Sequence, residues 1–285
     1  MQYLLHLRAN KSMAINLDVV IDTPEYEVDM KAGLDTLQGI SDATRTIAET
    51  LLTGKVPQRK SSKSSVRTML KRTFKGSYGQ NFSLYLSDDD LKKEYRKIGN
   101  TAFSELMGFF MKEALDLEVA ELSEKSEKIV AKLGDNAERL VRQLRTSIMK
   151  DAHEVPKKFG NDVKVRFKSA ADRVVIAKFD RTTALALEAK RSNVKVNISA
   201  AIRRFNTNTG NGRLQISGGS ETVAFGFEKV YRDVRFATKK KFSENLDFNN
   251  GIDSDNWRYL EIEAYPIKLF DDRIIKYVVA GLHEA

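Results

Sequence analysis

Apolar and polar residues alternate along 14–22, where Ile15, Leu17 and Val19 fall on one side of an extended chain. A period of two marks a strand with one buried face. Residues 3–8 read as a preceding strand, joined to it by the polar turn Asn10, Lys11, Ser12. From Asp29 the period lengthens: Met30, Leu34, Leu37, Ile40, Ile47 and Leu51 recur at helical spacing, and Gly54 stands where a left-handed stop belongs. Strand periodicity returns at 66–75 and 80–86, and the intervening Gly76, Ser77, Tyr78 and Gly79 predict a hairpin. Phe82, Leu84 and Leu86 supply the inward face of its second strand. On its first strand Arg67, Lys71 and Lys75 share one parity, hence one side.

Ser87, Asp88, Asp89 and Asp90 have the serine and acid spacing of a capping box, and they open a helical stretch with the stripe Leu91, Tyr95, Ile98, Ala102, Leu106 and Phe109. Two further amphipathic segments, 117–133 and 135–149, follow with Gly134 as the break. Past Pro156 short β runs dominate, at 163–167, 174–179, 194–205, 213–217, 222–227, 257–265 and 273–279. A helix is expected at 231–242 and a polar loop at 246–256. The pattern predicts an α+β protein: a small antiparallel or mixed N-terminal sheet with a crossing helix, a helical middle, and a C-terminal β-rich part forming a small sheet or partly open barrel. A chain of 285 residues more readily builds two cores than one, and the change of character sets the expected domains at 1–155, with its helical segment at 88–152, and 156–285.

Charge sharpens this picture. Between Thr50 and Ser87 there are eight basic residues and no acid, against a net charge of +9 for the whole chain. Such segregation creates a field that balanced charges cancel, and it points to an anionic partner. The strand half of the run, Arg67, Lys71 and Lys75, predicts a charged sheet face, and Lys55, Arg59, Lys60 and Lys63 an arm or loop beside it. Tyr78, Phe82 and Tyr85 lie close enough for base stacking, although Phe82 is better spent on the core. An equally weighted reading of the run is a solvated strand that guards a sheet edge. A second basic and aromatic patch comprises Arg203, Arg204 and Phe205, with Arg213 across an Asn-rich turn; small five-stranded barrels use such a face for single strands.

Several chemistries find no support. Cysteine is absent, which removes disulfides, thiol nucleophiles and thiolate metal sites. His6, His153 and His283 are the only histidines and are scattered, and no Gly-x-Ser-x-Gly elbow or Gly-Lys-Ser/Thr phosphate loop occurs. Asp180 followed by Glu188 and Lys190 is the nearest approach to a metal-dependent nuclease, if Leu185 and Leu187 lie on a strand; residues 182–191 suit a short helix equally well. The oxygen-rich stretch 249–255 lacks the spacing of a calcium loop. Neither a signal peptide nor a run of roughly 18–20 apolar residues is found, so a soluble cytoplasmic protein without membrane contact is expected.

Asp29 and Met30, then Leu34, Leu37 and Gly39, and later Gly76, Ser77 and Tyr78 ahead of an apolar strand, resemble the opening of a group of uncharacterised bacterial proteins. The resemblance spans about the first ninety residues and implies a bacterial or mobile-element origin, with no activity or site attached. The favoured reading is a non-enzymatic binding protein. Lys55, Arg59, Lys60, Lys63, Arg67, Lys71 and Lys75, with Arg203, Arg204 and Arg213, are expected to engage nucleic acid or an acidic protein surface. One alternative is an assembly component of a bacterial system such as phage defence or counter-defence, joined to identical copies or a partner through the helices of 91–149. Another is the nuclease. No catalytic residue, metal or cofactor is assigned.

Overall fold

The computed structural model describes residues 13–58, 64–74, 77–169 and 173–283. The expected strand at 3–8, its turn, and Arg59, Lys60, Lys63, Lys75 and Gly76 lie outside the described residues. The chain divides into two compact units, Met1–Leu187 and Glu188–Ala285.

The first unit contains β1 (Met13–Ile21), β2 (Val66–Phe74), β3 (Tyr78–Leu86), β4 (Val163–Lys168) and β5 (Arg173–Phe179), an antiparallel sheet in the order β2-β3-β1-β4-β5. The alternation of β1 is obeyed: Ile15, Leu17, Val19 and Ile21 are buried in one core with Phe82, Leu84, Val163, Val165 and Phe167 of its neighbours. Helix α1 (Met30–Thr53) completes that core through Ile40 and Ile47. The Asp29 carboxylate accepts from the Ala32 amide at its start, and Gly54 ends it with φ 70°. Gly39 lets α1 approach the backbone of another helix, because a Cβ there would lie 2.2 Å from the Ala152 nitrogen.

The helical middle is more broken than its periodicity predicts. Helices α2 (Asp89–Ile98) and α3 (Asn100–Glu113) are separated by Gly99 at φ 78°, and the cap of α2 is Asp88, whose carboxylate accepts from Asp90 and Leu91, rather than Ser87. Residues 117–123 are not helical, and α4 (Glu124–Leu133) begins only at the Ser123 cap. The last segment is α5 (Asp135–Gln143), a π-turn at Leu144–Ile148 and α6 (Met149–Ala152), followed by α7 (Glu154–Phe159).

The expected boundary at 155/156 moves to 187/188. Strand β4 pairs with the free edge of β1, and β5 with β4, so both belong to the first sheet. Periodicity identifies a strand but not the sheet it joins. Helix α8 (Arg181–Glu188) ends this unit, and the strand that a nuclease would need through Leu185 and Leu187 is a helix.

The second unit contains β6 (Lys190–Arg191), β7 (Val196–Phe205), β8 (Gly212–Ile216), β9 (Thr222–Phe227), α9 (Phe236–Asn249), β10 (Leu260–Lys268) and β11 (Ile274–Leu282). Strands β7, β8, β9, β11 and β10 close into a five-stranded barrel, with β9 and β11 parallel and β6 added on β10. Ile202, Leu214, Phe225, Phe242, Ile262 and Tyr277 fill it. Helix α9 starts later than predicted, after a 3-10 turn at Tyr231–Asp233, and ends later because its asparagines hold backbone. The Asn245 amide oxygen takes the Ile202 amide proton at 2.8 Å, and Asn249 accepts from and donates to Arg258 at 2.9 Å. No helix among the described residues is long and apolar enough to cross a membrane.

His153 reports on the first core. Its ring is buried against Phe179, Nδ1 donates to the Met149 carbonyl at 2.6 Å, and Nε2 meets the Thr183 hydroxyl at 2.9 Å. Burial pushes its pKa down from 6.5 to about 4. Between those values unfolding takes up a proton, so stability from the neutral ring is complete above pH 6.5 and lost as the pH falls toward 4, on the order of 3 kcal/mol in all. Urea unfolding of wild type and His153→Gln should show a stability gap that narrows from pH 7 to pH 4; a constant gap contradicts the buried neutral ring.

Candidate nucleic-acid interface

The same alternation that buries one face of the first sheet presents the other. Across it, register aligns Met69, Ser83, Asn16, Lys168 and Arg173 in one row, and Asn81, Asp18, Arg166 and Val175 in the next. A third row holds Phe74, Gly79, Val20, Lys164 and Lys178. Arg67 lies opposite Tyr85. An irregularity between Leu70 and Thr73 interrupts the parity of β2, yet Lys71 still reaches this face: its Nζ is 3.4 Å from Asn16 Oδ1 and 5.7 Å from the Tyr85 ring centroid.

One buried carboxylate anchors two of these cations. Asp18 is fully buried, 2.5 Å from Arg166 Nε and 3.5 Å from Lys168 Nζ. Phe74 lies across the same cluster, with Arg166, Lys168 and Arg173 at 5.6, 5.9 and 6.0 Å from its centroid. Its ring occupies the space over Gly79, where a Cβ would come within 2.4 Å. Asp22 holds Lys164 at 2.7 Å, and this contact draws the Asp22 carboxyl below its usual range. Lys178 is taken by Asp162 at 2.7 Å, which raises the ammonium's pKa. Arg67 and Arg72, by contrast, form no ion pair among the described residues.

Beside this cluster is a cavity of about 510 Å³, within the range of small-ligand sites. Lys71, Arg72 and Lys168 line it with Asn16, Asn81 and Asn100, with the hydroxyls of Tyr95 and Ser169 and with apolar residues of the core face such as Leu17 and Phe82; no carboxylate does so among the described residues. The amide oxygens are already engaged: Asn16 Oδ1 by the Ser83 hydroxyl at 2.7 Å, Asn81 Oδ1 by Lys168, and Asn100 Oδ1 by the Tyr95 hydroxyl at 2.5 Å. The amide hydrogens of Asn16 and Asn100 are left as donors. Three cations and these N–H donors, with no carboxylate among the described lining residues, suit an acceptor-rich, anionic group.

The described cations of the basic run therefore do not share one surface. Arg67 and Lys71 join the sheet face, whereas Lys55 follows the end of α1 in the helical layer. The larger share of the face was missed: Lys164, Arg166 and Lys168 of β4, with Arg173 of β5. The signal was present in β4, whose cations alternate with Val163, Val165 and Phe167.

In the second unit, an irregularity between Ile202 and Arg204 separates two arginines that adjoin in sequence. Arg203 stacks on Trp257 at 4.1 Å, while Arg204 lies opposite Arg213, in a row that continues through Ala224 to Lys276 on the outer wall. Arg213 is fixed by the Thr222 hydroxyl at 2.8 Å and carbonyl at 2.6 Å. The five-strand order, with a helix before the fourth strand and the last strand parallel to the third, is that of oligonucleotide- and oligosaccharide-binding barrels. The nuclease candidates are used structurally: the Asp180 carboxylate caps α8 by accepting from the Thr183 amide at 2.9 Å, and Glu188 is the helix's last residue.

No protein-family model matches this chain, and comparison with curated proteins and with solved structures finds no match.

Replacing Asp18 by Asn keeps its shape but strips Arg166 and Lys168 of their buried counter-charge. The unfolding free energy measured in urea should fall by about 3 kcal/mol. Unchanged stability would show that Asp18 does not anchor the face.

Proposed function

We propose that the chain is a non-enzymatic binder of single-stranded nucleic acid, gripped on the outer face of the first sheet. The observation that carries this reading is the cavity between Lys71 and Lys168, lined by three cations and by no carboxylate among the described residues. Phosphates meet Arg67, Lys71, Arg72 and Lys168, and the exposed flank of Tyr85 offers a ring for stacking. Antiparallel sheets with aromatic and basic outer faces read splayed bases in this way. A duplex keeps its bases stacked inside and cannot place one in a cavity of this size, so single strands are the substrate class. The barrel of the second unit, with its Arg204, Arg213 and Lys276 row, favours the same ligand independently.

The assembly reading has less support. Along the helices from 91 to 149, no large apolar side chain stands exposed among the described residues, so the apolar patch that an assembling helix would present is not found there.

Fluorescence anisotropy of a labelled dT oligomer tests the proposal. Wild type should bind it more tightly than the matching duplex, and Arg67→Ala/Lys71→Ala, two changes at exposed positions, should weaken binding by roughly tenfold or more at low salt. Losing two phosphate contacts should also flatten the slope of log K against log salt by about 1.4. Equal affinity and slope in the two proteins would remove this face from consideration.

A further inference from the structure

Where β9 leaves the barrel and α9 begins, the second unit has a cavity of about 400 Å³. Phe227 and Val279 give it an apolar wall, and Lys229, Arg235 and Lys241 line the rest, with no carboxylate among the described lining residues. Of the acids nearest in sequence, Glu228 pairs with Arg191 and Asp233 with Arg232 at 3.3 Å, and Glu244, one helical turn beyond Lys241, forms no ion pair with it among the described residues. The adjoining cations are occupied too. Lys239 donates to the Arg232 carbonyl at 3.1 Å and lies 4.6 Å from the Tyr231 centroid, and Lys240 lies 5.8 Å from that of Phe236. Lys229, Arg235 and Lys241 have neither an ion pair nor a side-chain hydrogen bond among the described residues. Three like charges around one cavity repel each other, and a bound anion relieves that cost.

Val234, Ala237, Thr238 and Leu282 also line it, and one side is strand backbone. Pairing of β11 with β9 stops at Val279 and Phe227, while β11 continues to Leu282 beside β10. Ala280 and Gly281 therefore bring a strand edge without a β9 partner into the cavity. Such an edge offers the donors and acceptors that a nucleobase edge matches.

We infer that this cavity binds a nucleoside phosphate, with the phosphate on Lys229, Arg235 and Lys241 and the base against Phe227 and the β11 edge. The site is separate from the sheet face and stands without it. The same chemistry is presented by a free mononucleotide and by the 5′-phosphate end of a strand, and the test separates them.

Calorimetry on the full chain, in the Arg67→Ala/Lys71→Ala background, uses adenosine 5′-monophosphate, adenosine, and a dT oligomer with and without a 5′-phosphate. The monophosphate should bind at least about tenfold tighter than adenosine, as expected for charge-assisted hydrogen bonds. Adding Lys229→Ala, Arg235→Ala and Lys241→Ala should abolish that preference while leaving the melting temperature unchanged, since all three side chains are exposed. Preference for the 5′-phosphorylated oligomer without binding of the monophosphate assigns the cavity to strand ends and supports the same chemistry. No preference for either phosphorylated probe, or a preference that survives the triple substitution, overturns the inference.

Discussion

The first unit depends on how β1 divides its side chains. As the central strand it has a neighbour on each edge, and its period of two commits Ile15, Leu17, Val19 and Ile21 to the core. Asn16 and Asp18 are thereby committed to the opposite face. A slip of one residue would put a carboxylate among Ile40, Ile47 and Leu84 and expose the core, a cost of several kcal/mol that secures the register. That register then aligns Asn16 with Lys168 and Asp18 with Arg166, so the polar face follows from the packing of the apolar one.

Asp18 lies wholly within this face. A buried carboxylate is tolerable only with its counter-charges in place, and Arg166, Lys168 and the covering Phe74 are held together by that demand. The cations outside this knot are set at defined positions around a cavity whose carboxamide oxygens are spent. The barrel uses the same economy. Where β7 is irregular, the Ile202 amide is taken by Asn245 of α9, and the irregularity turns Arg203 onto Trp257 while Arg204 faces Arg213.

Most of the secondary structure was legible in the sequence wherever one periodicity ruled, as in β1, α1 and the β2-β3 hairpin. Errors came where side chains outside the pattern decided. Residues 117–123 carry helical spacing, but the Ser123 cap and the Glu105 carboxylate that takes the Ser123 amide at 2.7 Å begin the helix later. The asparagines of α9 suggested a loop because their preference for turns is local, whereas their partners at Ile202 and Arg258 are remote in sequence or across a turn. The division at 187/188 and the contribution of β4 and β5 to the face were not legible in the sequence. Both required knowing that β4 returns to β1, a pairing across more than a hundred residues that no local pattern encodes. Charge density drew attention to 55–75, but Lys55 of that segment's described cations lies off the sheet face, and Lys164, Arg166, Lys168 and Arg173 are brought to it by β4 and β5.

Nucleic acid is proposed to lie on this sheet face. Photo-crosslinking of an oligomer carrying 4-thiothymidine, followed by peptide mass spectrometry, reads the position directly. Adducts should concentrate in the peptides containing Tyr85 and Phe74 on β2 and β3 and in those of β4, and should be suppressed by excess unlabelled single strand. Crosslinks confined to the helical layer around Lys55, or spread evenly over the chain and indifferent to competitor, would contradict it.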